Sequence, residues 1–143
     1  MATKAEAGKR GAQVRSDCWI GVEPAAAGGL QVALTSKVAG MYGDRIVAQI
    51  EEGCRVLGLV HGTVTVEDQG ALPYVIAARL ETAVRRAGLA PAAPLLPVRR
   101  DLAVAPTSRD RLRRSRLYLP GNEPKFHVNA ALHEPDGVIL DLE

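Results

Sequence analysis

Aromatic residues are nearly missing from this 143-residue chain: one Trp, three Tyr and one Phe make up 3% of it. Proteins that hold single-stranded nucleic acid stack its bases on such rings, so that class of function is poorly supplied. Hydrophobic residues still make up 47%, and a core must be built from Val, Leu, Ile and Ala. Cysteine is equally sparse. Cys18 and Cys54 form no C-x-x-C pair with metal or redox spacing, and both are expected to be buried, reduced thiols. No apolar run approaches the ~20 residues of a membrane span, and the opening MATKAEAGKRG lacks the apolar stretch of a signal peptide. These absences predict a soluble, cytoplasmic chain. Also missing are the P-loop, the dinucleotide fingerprint, H-E-x-x-H and G-x-S-x-G. His61, His127 and His133 have no acidic or cysteine partner completing a site, so no catalytic and no metal residue is expected.

An excess of charge is lacking overall but not locally. The net charge is +2, with ten Lys/Arg against nine Asp/Glu before Val98; the seven Arg from Arg99 to Arg116 are opposed only by Asp101 and Asp110. The run Arg109 to Arg116 could bind phosphates, while a solvated linker end is the plainer reading.

What is present is patterned. Cys18-Trp19-Ile20-Gly21-Val22 and Leu30-Gln31-Val32-Ala33-Leu34-Thr35 both alternate, and the turn residues Pro24 to Gly29 between them predict a β-hairpin. From Met41, Ile46, Ile50, Cys54 and Leu57 recur at helical spacing, with Gly58 as the stop. His61 to Glu67 is a β-branched strand, and Glu67-Asp68 at its end suit helix capping better than a paired-carboxylate site. In LPYVIAARLETAVRRAG, Leu72, Ile76, Leu80, Ala83 and Ala87 form an inward stripe, Pro73 fits the first turn and Gly88 ends the helix. The order ββαβα predicts an α+β fold, a two-layer sandwich of a three-stranded sheet and two helices. Pro91, Pro94, Pro97 and Pro106 mark a semi-rigid linker. Beyond it, a strand Arg116–Leu119, a helix Lys125–Leu132 and a strand Gly137–Glu143 make one βαβ unit. The expected divisions are a flexible arm over 1–16, a folded domain over 17–88, the linker over 89–108 and the βαβ segment over 109–143.

Three motifs in residues ~11–88 carry a resemblance. Ser16-Asp17 precedes the first strand, Tyr42-Gly43-Asp44 opens the first helix, and E-D-Q-G-A-L is followed by A-R-L-E-x-A between Glu67 and Ala83. This stretch resembles the acyl carrier (gamma) subunit of citrate lyase and, more distantly, the carrier subunit of malonate decarboxylase. The resemblance implies a carrier with no catalytic activity of its own. Its serine, here Ser16, would be esterified by a phosphoribosyl-dephospho-coenzyme A group, making it a phosphoprotein whose terminal thiol holds an acetyl or citryl thioester. The implied partners are acyl-exchange and lyase subunits and a prosthetic-group transferase, with no nucleic acid and no membrane. The acyl unit stays open among citrate, malonate, citramalate and other acids. In the family's usual S-x-D pattern the serine lies two before the aspartate, where this chain has Arg15. The other reading is therefore a degenerate carrier that serves as a scaffold or docking module. The end of the chain, RLRRSRLYLPGN to DLE, resembles the opening of the citrate lyase beta-subunit family of (β/α)8 barrels, which implies a carrier fused to the truncated start of a lyase barrel. Two strands cannot close a barrel. Asp141 and Glu143 would lie at the end of its second strand, without the other ligands of a metal site.

Overall fold

The computed structural model describes residues 3–11, 13–96 and 108–142, which fall in two compact units, Met1–Pro97 and Val98–Glu143. In the first, the chain runs β1 (Ala5–Gly8), β2 (Cys18–Pro24), β3 (Leu30–Ser36), α1 (Ala39–Leu57), β4 (Gly62–Asp68) and α2 (Pro73–Arg86). The class is mixed α+β. The strands form one sheet in the order β1-β2-β4-β3.

Two features of the sheet depart from the sequence expectation. The hairpin does not form: β2 pairs antiparallel with β4, and β3 pairs parallel with β4 on its other side. Alternation marks a strand's two faces but not its neighbour; Val64 and Val66 of β4 are fully buried, as Ile20 and Val22 of β2 are, whereas no residue of β3 is. The connection after β2 must then straddle one strand, about 10 Å at the usual sheet spacing. It is stitched down on the way, Ala25 N donating to His61 O (3.0 Å) and Gly62 N to Gly29 O (2.9 Å). The second departure lies in the arm expected to be flexible, where Ala5–Gly8 add a fourth strand along β2. Its sequence, AEAG, has no β-branched residue to announce it. Backbone approach does the work instead: a Cβ on Gly8, at φ +103°, would stand 1.9 Å from the Cys18 carbonyl oxygen. Thr3 N donates to Ala87 O (2.9 Å) and Arg86 Nη1 to Glu6 O (2.8 Å), tying the arm to the end of α2.

Both helices follow their apolar stripes. Ile46, Ile50, Cys54 and Leu57 of α1 are buried, and Gly58 ends the helix in the left-handed conformation, φ 77°. On α2, Ile76, Leu80 and Ala83 are buried together with Val75, Ala77 and Val84. Leu72, expected in that stripe, is instead the residue before the helix and is 39% exposed. The inward residues of β2 and β4, namely Cys18, Ile20, Val22, Val64 and Val66, close the core against the helices. Both cysteines are free and buried, and burial pushes each thiol up to about 12. Part of the expected linker docks here too: Leu95 packs against the core, and its N–H donates to Glu81 Oε2 (2.8 Å).

The second unit holds β5 (Arg116–Pro120), α3 (Pro124–Asn129), a 3-10 turn (Ala130–His133) and β6 (Gly137–Asp141). β5 and β6 pair in parallel. The helix expected over Lys125–Leu132 is thus split, and Glu143 lies outside the described residues. Asp136 fastens the start of β5, accepting from Arg114 N (2.8 Å) and Ser115 N (3.1 Å). Among the described residues, no helix is long and apolar enough to cross a membrane.

Candidate functional site

The β2–β4 ladder runs from Pro24↔Gly62 to Cys18↔Asp68, and just beyond it the register breaks. Ser16 N donates to Gln69 O (3.1 Å), while Gln69 N donates to Asp17 O (3.0 Å). Two residues thus oppose one, and the first of them, Ser16, has φ 54°. This is the geometry of a G1-type β-bulge, whose first position normally takes glycine. A residue with a Cβ held there costs roughly 1–2 kcal/mol. Bulges of this kind re-aim a side chain at the end of a ladder.

Both flanks of the bulge are fixed. On one side the buried Asp17 accepts from its neighbour Cys18 N (2.8 Å) and takes both arms of Arg79, Nε on Oδ1 (3.1 Å) and Nη2 on Oδ2 (2.9 Å). A two-armed guanidinium–carboxylate contact fixes orientation as well as distance, and these hydrogen bonds hold Arg79 more firmly protonated. On the other side, Arg10 reaches across to Glu67, Nε to Oε1 3.0 Å, with its guanidinium carbon 3.8 Å from the centre of the Trp19 ring. The Arg10 contact holds the Glu67 carboxyl below its usual range. Between these anchors Ser16 is half-buried, and its hydroxyl makes no hydrogen bond among the described residues. Arg15 beside it is exposed and makes no ion pair among them.

Asp68 takes a different role from the helix cap that the sequence suggested. Fully buried, it accepts from Ser36 Oγ (2.6 Å), Gly70 N (3.1 Å) and Ala71 N (2.7 Å), closing the turn before α2. The helix itself starts at Pro73, and Leu72 before it gives no side-chain cap. Ser36 Oγ in turn accepts from Val38 N (3.0 Å), so the same carboxylate steadies the entry to α1. His61 accepts from Gly29 N at Nδ1 (3.0 Å), a structural contact, and His127 and His133 are exposed. No group of His, Cys, Asp and Glu among the described residues could hold a metal ion.

Beside the turn that closes the bulge, a groove of about 770 Å³ runs between α1 and the start of α2, lined in part by Tyr42, Arg45, Ile46, Ala48, Ala71 and Leu72. Gln49 Nε2 bridges its walls to Pro73 O (2.6 Å). The sequence motifs therefore come together in space: Asp17 of S-D pairs with Arg79 of A-R-L-E, Gln69 of E-D-Q-G-A-L completes the bulge at Ser16, and Tyr42 and Ala71 both line the groove. Sequence reading missed Arg79 as a partner, because a single Arg beside an apolar helix stripe gives no signal of what it meets. What the arrangement offers chemically is one presented hydroxyl on a braced support.

Residues 5–87 match the family model for the malonate decarboxylase delta subunit, an acyl carrier protein. The citrate lyase acyl carrier protein of Enterobacter sp. (strain 638) is 40% identical over 77 residues, 54% of this chain and 78% of that protein. That of Albidiferax ferrireducens is 42% identical over 71 residues, 50% of this chain and 72% of its own length. That of Fusobacterium nucleatum subsp. nucleatum is 38% identical over 80 residues, covering 56% and 85%. Through its first unit, the chain belongs to the acyl carrier protein family of citrate lyase and malonate decarboxylase.

Proposed function

We propose that the chain is the acyl carrier of a citrate-lyase-type system and that Ser16 bears its prosthetic group, a phosphoribosyl-dephospho-coenzyme A. The observation that carries this is the bulge: a hydroxyl without a hydrogen bond among the described residues, in a left-handed backbone position held between Arg10–Glu67 and Asp17–Arg79. Such an outlier next to a working group is where function accepts backbone strain. The residues fit the group. Ser16 supplies the oxygen of a phosphodiester, and the exposed Arg15 stands ready for the phosphate's charge. Once attached, the group supplies a thiol that holds an acyl unit as a thioester. The chain's own share is mechanical: Asp17 and Arg79 keep the support from yielding while partner enzymes act on what it carries. Those partners are acyl-exchange and lyase subunits and a transferase, all in the cytoplasm. In the same reading the first unit is a two-layer sandwich carrying the handle, and β5, α3 and β6 are the opening of a lyase barrel. The parallel pairing of β5 and β6 supports the latter, since parallel sheets are normally covered on both faces.

A second reading is a degenerate carrier that docks partners without a prosthetic group. It is favoured by Arg15, which occupies the serine place of S-x-D and is the more exposed of the two residues. Intact mass after exposure to a phosphoribosyl-dephospho-coenzyme A transferase separates the two. The first reading expects one adduct on the wild type and none on Ser16→Ala. An unmodified wild type beside a modified Arg15→Ser establishes the second.

A further inference from the structure

The groove beside the bulge has no role in holding the handle, yet the turn that pairs with Ser16 continues into its wall. Ser16 N bonds Gln69 O, and the next two residues, Gly70 and Ala71, line the groove. Its size is that of a small-molecule site. Ile46, Ala48, Ala71 and Leu72 give it apolar surface, the Tyr42 hydroxyl is a polar donor at an exposed residue, and Arg45 is an exposed cation with no ion pair among the described residues. A long, uncharged amide chain with a diphosphate at one end, as pantetheine stands in a coenzyme A group, matches that lining in both respects.

Building on the carrier reading, we propose that this groove is a resting cradle for the pantetheine part of the arm, with Arg45 pairing with the diphosphate that joins it to the rest of the group. Tethering gives an arm millimolar effective concentration, so even weak intrinsic affinity keeps it seated until a partner draws it out. The acyl thioester is then shielded between visits, and the groove helps to set which arm is carried.

The test uses the full chain and two free probes, S-acetyl-phosphopantetheine and S-acetyl-pantetheine, titrated into unloaded protein while amide resonances are followed. Shifts at Ile46, Ala48 and Ala71 saturating in the millimolar range are expected, and Ala48→Trp, a filling change at an exposed helix position, should abolish them. Arg45→Gln should weaken the phosphorylated probe about threefold, the scale of an exposed ion pair, and leave the other unchanged. In loaded protein the same amides should shift, and the thiol of Ala48→Trp should alkylate faster than that of the wild type. Absence of groove shifts up to roughly 10 mM, well above the effective concentration of a tether, overturns the cradle. So do shifts that survive Ala48→Trp. Intact mass reports loading separately: a loaded protein with unmoved groove amides removes this inference alone, whereas an unloaded wild type removes the carrier reading at Ser16.

Discussion

At Ser16, stability and chemistry ask for different residues. A glycine there would lose the Cβ clash of the left-handed backbone, so Ser16→Gly is expected to raise stability by about 1 kcal/mol in a urea melt while ending any loading. A fall in stability would mean that the serine side chain contributes packing that its half-exposed position does not suggest. Asp17 and Arg79 make a complementary case. The Asp17 side chain is 5% exposed and that of Arg79 is 31%. Arg79→Ala strands the buried carboxylate with the Cys18 N–H as its one remaining partner among the described residues, and the expected cost is about 3 kcal/mol, the low end for breaking a buried pair. Asp17→Asn should cost less, because Arg79 can turn toward water. The reverse order in denaturant midpoints would show that the arginine's packing, not the pairing, holds the bulge. Of this site the sequence showed Ser16 and Asp17 side by side. It could not show the bulge, which arises only when Gln69 is brought opposite them.

At the scale of elements, periodicity was a good guide wherever one face is buried. α1 and α2 formed where Ile46, Ile50, Cys54 and Leu57, and then Ile76, Leu80 and Ala83, recur, because a helix stripe must find a core. Pairing was the part that local pattern could not carry. β2 and β3 look like a hairpin in sequence, but β4 enters between them, and β1 follows from the close approach of Gly8 rather than from any strand-forming residue. The β1–β2 loop that leads to Ser16 has a pH-sensitive fastening. Arg10 lowers the Glu67 carboxyl from its ordinary value of 4.5. A carboxyl whose pKa is depressed by folding contributes stability above its unfolded value and loses it as pH falls through the folded one. Amide exchange at Gly11, Gln13 and Val14, compared with the chemical rate at each pH, should therefore lose protection as pH drops below the ordinary carboxyl value of 4.5, and Arg10→Gln should remove that dependence. Protection that is flat from pH 6 to 3 in the wild type would detach Glu67 from the loop.

For the whole molecule, family membership rests on the first unit, since the match spans residues 5–87, and the central claim is that this unit carries its group on Ser16. The most direct measurement is fragment-ion localisation on the tryptic peptide from Ser16 to Lys37, taken from wild-type protein loaded by the transferase. That peptide also contains Thr35 and Ser36, which makes the comparison internal. Ser36 is already committed to Asp68 and to the Val38 N–H, so the account predicts the whole added mass on Ser16 and none on the other two hydroxyls. An adduct on Thr35 or Ser36, or a peptide that stays unmodified while Arg15→Ser protein is loaded, would contradict it.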